Sequence, residues 1–133
     1  MKTHKCKYRV LYADTDKMGV VYYGNYLRLY EYGRNQMMRD FNIPFSLIEK
    51  SGIVCPAIEV KIRYVKPVVF DEEITIVSKI KQLPTARFPF VQEIIGEDGS
   101  LKNMAEVDLC FVNENTLKPV RCPEDFRKFL ETL

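Results

Sequence analysis

One long helical pattern constrains this chain more than any other feature. Between residues 25 and 41, Tyr26, Tyr30, Gly33, Met37 and Phe41 fall at the spacing of a single helix face. Leu27, Leu29 and Met38 widen that stripe, while Arg28, Glu31, Asn35 and Arg39 take the opposite side. So broad an apolar face must be covered, here by a sheet, because the remaining sequence reads mostly as strands. Gly33 costs about 1 kcal/mol of helix propensity against Ala. Its place on the stripe implies that another backbone packs close to it. Asn42 and Pro44 end the helix, and a short turn of helix over 46–51 is closed by Gly52.

Alternation then takes over. Ile58, Val60, Ile62 and Tyr64 alternate with Glu59, Lys61 and Arg63 until Pro67 stops the run. Ile74, Ile76 and Ile80 share one face of a second strand, and Phe88, Phe90 and Ile94 share one face of a third. After a hairpin at Gly96-Glu97-Asp98-Gly99, the residues Ala105, Val107, Leu109 and Phe111 mark a fourth. These four are predicted to pair in consecutive order as an antiparallel meander. Ahead of the helix, Cys6, Tyr8, Val10 and Tyr12 alternate with Lys7, Arg9 and Leu11 as a first strand with one buried face. Pro123, with Glu124 and Asp125 next and Arg127 and Lys128 later, starts a short last helix whose charges suit its dipole. The order is α+β, one long helix against a segregated antiparallel sheet.

Composition narrows the function. At 133 residues the chain is expected to form one domain, residues 1–133, and 47% apolar residues with eight Tyr and eight Phe supply a core. Twenty basic and eighteen acidic residues leave a net charge of +2 without a basic stripe, which argues against nucleic acid. Cys6, Cys55, Cys110 and Cys122 are too scattered for a Cys-x-x-Cys pair, and the lone His4 cannot complete a zinc set. Neither a metal nor a cofactor is expected. Reduced thiols suit a cytoplasmic setting. The polar start Met1-Lys2-Thr3-His4-Lys5 is not a signal peptide, and no apolar run is long enough to span a bilayer. His4 reads as surface decoration on an irregular terminus.

The chemistry-bearing stretch lies between first strand and helix: Tyr12-Ala13-Asp14-Thr15-Asp16-Lys17-Met18-Gly19-Val20-Val21-Tyr22-Tyr23-Gly24-Asn25-Tyr26. Turn formation is the commonest use of an Asp-x-Asp pair. A metal loop would stay polar where Val20 and Val21 follow. A carboxylate on a strand-to-helix connection is instead well placed for chemistry, because the helix start supplies free backbone N–H donors.

The ordered Asp-Thr-Asp-x-x-Gly-Val-Val-Tyr-Tyr-x-x-Tyr stretch resembles the 4-hydroxybenzoyl-CoA thioesterase-like branch of the hotdog-fold acyl-CoA thioesterases. Ile62-Arg63-Tyr64-Val65-Lys66-Pro67 with Phe70-Asp71-Glu72, the run from Ala105 to Val112, and Lys118-Pro119-Val120 extend the likeness over nearly the whole chain from Cys6. The resemblance implies a curved antiparallel sheet of about five strands wrapped around one long central helix. It implies hydrolysis of an acyl-CoA, or acyl-carrier-protein, thioester to a free acid, with Asp16 as the carboxylate that acts as base or nucleophile. Asp14 is left to orient the loop. The backbone N–H of Tyr23 is implied to polarise the thioester carbonyl, with Tyr64 lining the acyl channel and Arg87 among the candidates for CoA phosphate, beside Arg63 and Lys66. Glu31 is the rival acid, placed on the helix's polar side. A dehydratase would need a His beside the thioester, and His4 is the only one. A hotdog module that binds acyl-CoA or acyl-carrier protein without turnover is the alternative. The family's assembly is a homodimer, or a tetramer of such dimers, joined through sheet edges that a lone chain leaves unpaired.

Overall fold

The computed structural model describes residues 2–133. Its long helix, α1 (Tyr26–Asp40), is the one the periodicity predicts, shortened by a residue at each end. Tyr26, Leu29, Tyr30, Gly33, Met37 and Met38 are buried, and each large apolar side chain among them contributes about 1.5–3 kcal/mol on burial. Leu27 departs from the expected stripe and is 48% exposed.

Against α1 lies an antiparallel sheet: β1 (Lys2–Arg9), β2 (Ile53–Val54), β3 (Ala57–Tyr64), β4 (Glu73–Ile80), β5 (Arg87–Ile95), β6 (Leu101–Asn113) and β7 (Pro119–Val120). Two short helices, α2 (Phe45–Glu49) and α3 (Glu124–Glu131), complete the chain. A long helix on one face of an antiparallel sheet is the hotdog arrangement. The sheet has seven strands rather than about five, because two-residue strands β2 and β7 lengthen the two sides of β6. No helix is long and apolar enough to cross a membrane among the described residues.

Strand order corrects the expected meander. β4, β5 and β6 are consecutive neighbours, but β3 pairs with β6, and β1 takes the free side of β4. The segment between β3 and β4, residues 65–72, is too long and too Pro-interrupted for a hairpin. It crosses the end of the sheet instead, bonding on its way to the loop ahead of α1.

The edge position of β3 explains a second departure. Its alternation predicts a buried apolar face, yet Ile58, Val60 and Tyr64 are 48%, 39% and 47% exposed. The helix covers the middle of the sheet and stops short of this edge. The first strand is also displaced. It begins at Lys2 and ends at Arg9, and Tyr12–Asp14 form a 3-10 turn. His4 is therefore not on an irregular terminus: it pairs in register with Ser78 and its Nε2 lies 2.7 Å from Asp40 Oδ2.

Phe88, Phe90 and Phe111 form a fully buried aromatic cluster that Phe126 of α3 closes edge-on, at 5.6 Å from Phe88. At Gly33 the close neighbours are side chains rather than backbone. A Cβ there would fall 2.6 Å from Ile76 Cγ2, 3.0 Å from Ser78 Oγ and 3.2 Å from Gln92 Nε2. Gly33→Ala is expected to lose about 1–2 kcal/mol in urea unfolding, since overpacking of about 1–3 kcal/mol outweighs the helix-propensity gain. A stabilised variant would refute this packing.

Candidate active site

The loop between β1 and α1 is built on Asp14. Its carboxylate has no solvent exposure, accepts from Tyr8 Oη (2.6 Å) and Leu11 N–H (2.8 Å), and pairs with the Arg28 guanidinium. Its carbonyl accepts from Tyr22 N–H (3.0 Å) and Asn25 Nδ2 (2.9 Å). One residue thereby fastens the strand, both ends of the loop and the first turn of α1.

Asp16 to Gly19 form a small reverse turn. Gly19 N–H donates to Asp16 O (3.0 Å) and Asp16 N–H to Val20 O (2.9 Å). Gly19 sits at φ +79°, the left-handed region where glycine alone is unstrained. Asp16 is partly exposed at the head of this turn, its Oδ1 accepting from Met18 N–H at 2.8 Å. Its Oδ2 has no hydrogen-bond partner among the described residues. The crossing segment holds the turn from behind, through Val21 N–H to Val68 O (2.8 Å) and Phe70 N–H to Gly19 O (3.0 Å).

Tyr23 opens a 3-10 turn over Tyr23–Asn25 that leads straight into α1. A first-position N–H has no partner within its own turn, and the Tyr23 N–H makes no backbone hydrogen bond among the described residues. Tyr64, at the end of β3, comes to the same place: its Oη donates to Tyr23 O at 2.9 Å. Its ring meets Tyr26 edge-on at 5.2 Å. Val21, Tyr23, Tyr26, Tyr64, Val65, Lys66 and Pro67 line a pocket of about 230 Å³ there.

Arg87 is not in that group. It starts β5 opposite Cys110 and bonds Asp108 Oδ2 at 3.1 Å, whereas Tyr64 lies opposite Asn103. Seven positions of β6 separate the two levels, about 23 Å of strand. Glu31 is exposed and, beside Arg34, lines both the groove between α1 and β3 and the cleft toward α2. Among the cysteines, Cys55 at that cleft has its thiol pushed up to about 12 by burial, far from a reactive thiolate.

Sequence reading missed a buried polar network beneath α1. Tyr30 Oη donates to Asn103 Oδ1 (2.6 Å), Arg34 Nη1 to Gln92 Oε1 (3.0 Å), and Gln92 Nε2 to both Tyr30 O (3.0 Å) and Ser78 Oγ (2.8 Å). Burial pushes the Tyr30 phenol above its ordinary range. The signal was present: Ser78 falls in phase with Ile74, Ile76 and Ile80, and Gln92 with Phe88, Phe90 and Ile94.

With this geometry in view, the chain matches the model of the thioesterase-like superfamily over residues 10–130. It is 30% identical to the acyl-CoA thioesterase YbgC of Helicobacter pylori (strain ATCC 700392 / 26695), covering 94% of this chain and 98% of that protein. YneP of Bacillus subtilis (strain 168) is likewise 30% identical, over 96% of this chain and 90% of its own length. A DHNA-CoA thioesterase structure from Staphylococcus aureus superposes with a TM-score of 0.93 at 27% identity, covering 99% of this chain and 91% of that one. The chain belongs to the thioesterase-like superfamily. It is a hotdog-fold enzyme of the thioester hydrolase class.

Asp14→Ala is expected to cost about 2–4 kcal/mol in denaturant unfolding, because Tyr8 Oη, Leu11 N–H and the Arg28 guanidinium would lose their shared charged acceptor. Loss of less than about 0.5 kcal/mol would show that the loop is held by other means.

Proposed function

We propose that the chain hydrolyses acyl-CoA thioesters to a free acid and CoA, with Asp16 as the catalytic carboxylate. One observation carries this reading: a partly exposed carboxylate with one free oxygen stands on the same braced loop as the Tyr23 N–H, unpaired among the described residues. The names of the relatives above support acyl-CoA as the thioester. As a carboxylate, Asp16 can take a proton from attacking water or attack the carbonyl itself. In either case the carbonyl oxygen gains charge, which the Tyr23 N–H receives as a hydrogen bond. Collapse of the adduct breaks the C–S bond and releases the thiolate of CoA, which takes up a proton; where Asp16 attacks directly, water then cleaves the resulting acyl anhydride to the free acid and restores the carboxylate. Tyr64 steadies the donor turn through Tyr23 O and walls the pocket.

The uncovered β3 edge supports a homodimer formed by antiparallel pairing of two β3 strands. An antiparallel twofold sets the Tyr64 end of one β3 beside the Ala57 end of the other. Since Ala57 shares its level of the sheet with Phe88, the partner subunit's Arg87 then comes to the level of Asp16 and Tyr23. In this arrangement Arg87 serves the neighbouring site as a candidate for CoA phosphate.

Asp16→Asn should keep the wild-type unfolding midpoint and lose about 10²–10⁴-fold in kcat, measured by thiol release from an acyl-CoA panel. Wild-type turnover in that variant would remove Asp16 from the mechanism. Ile58→Asp combined with Val60→Asp should split the dimer in sedimentation and depress activity. A wild-type monomer with full activity at micromolar concentration would exclude the shared site.

A further inference from the structure

Arg34 is a buried cation that makes no ion pair among the described residues, and the one carboxylate that acts on it, Glu31, is exposed. Arg34 itself is 9% exposed, and its one hydrogen-bond partner among the described residues is the neutral side-chain oxygen of Gln92, 3.0 Å from Nη1. The Gln92 amide cannot be turned the other way. Its nitrogen donates to Tyr30 O (3.0 Å), a backbone carbonyl that can only accept, so Oε1 necessarily faces Arg34. Gln92 thus aims the guanidinium but does not neutralise it. Burial lowers the Arg34 pKa to about 10, which leaves it charged at neutral pH. A buried charge of this kind is costly unless an anion completes it. The nearest acids on the rim, Glu31 and Glu49, are both exposed, and neither makes an ion pair with Arg34 among the described residues.

Arg34 lines two hollows that share Glu31 and Ala57 as walls. A groove of about 380 Å³ between α1 and β3 runs from Gly24, next to Tyr23, through Tyr30 and Val60 to Arg34. A cleft of about 420 Å³ continues from Arg34 and Ala57 toward Phe45 and Cys55. Gly24 and Arg34 are ten residues apart, about 15 Å along a helix, and the Arg34 side chain leans back toward the N-terminus. The Arg34 side chain takes up part of that length, and the remainder suits an acyl chain of short to medium length.

We propose that Arg34 is a specificity residue and that the trough selects CoA thioesters of dicarboxylic acids, pairing the guanidinium with the carboxylate at the far end of the acyl chain. This rests on the acyl-CoA thioesterase reading above and adds the substrate class. A bidentate guanidinium–carboxylate pair supplies both the missing charge and a fixed acyl length.

The test compares kcat/KM for ω-carboxyacyl-CoAs of four to eight carbons with straight-chain acyl-CoAs of equal length. Wild-type enzyme should favour the carboxylate-ended member by about tenfold or more at the best length. Arg34→Met should invert that ratio, and Arg34→Lys should keep part of it. If wild type prefers the methyl-ended thioester at every length, the proposal is overturned, and this ratio needs no variant to fold. If no thioester is cleaved, the hydrolase reading fails on its own. The free acids then decide the specificity: the matching dicarboxylate should raise the wild-type Tm more than the monocarboxylate, and equal shifts would overturn it.

Discussion

A single buried carboxylate holds the working part of this molecule together. Asp14 takes hydrogen bonds from β1, from the loop's own start and from α1. Its carbonyl takes two more from the loop's far end. A carboxylate without exposure is unfavourable unless its oxygens are satisfied, and here each partner comes from a different segment. The donors therefore cannot drift apart without leaving the charge stranded. Asp16 and Tyr23 inherit their positions from that constraint, since both lie on the backbone that Asp14 closes.

The crossing of residues 65–72 supplies the second brace. To carry the chain from β3 at one edge to β4 near the other, it must pass the end of the sheet: Val65 and Lys66 N–H still donate to Lys102 O of β6, and beyond them its carbonyls and amides leave that strand. It satisfies them against the loop, through Val68 and Phe70. The topology that separates β3 from β4 is thus the same feature that stiffens the reactive turn. It also leaves β3 at an open edge of the sheet, the seam of the proposed dimer.

Beneath α1, the polar network of Tyr30, Arg34, Ser78, Gln92 and Asn103 replaces what would otherwise be an all-apolar helix–sheet contact. Gly33 permits it, since any side chain there would occupy the space of Ile76, Ser78 and Gln92. The network leaves one charge unanswered, at the wall of the trough leading from Tyr23.

Much was legible in the residues alone. The extent of α1, the inward faces of β4, β5 and β6, and the hairpin at Gly96–Gly99 follow from periodicity and turn chemistry, which are local properties of the chain. The motif around Asp16 placed a carboxylate and a backbone donor on one strand-to-helix connection. Local pattern is silent on which strands become neighbours, and so β3 was placed beside β4 and His4 outside the sheet. It equally cannot tell an alternating strand at an uncovered edge from one in the middle, because both carry the same period of two. The joining of Tyr64 to Tyr23, the separation of Arg87 from both, and the burial of Arg34 against Gln92 depend on contacts dozens of residues apart. Such contacts are set by packing of the whole sheet on α1, and only the tertiary structure decides them.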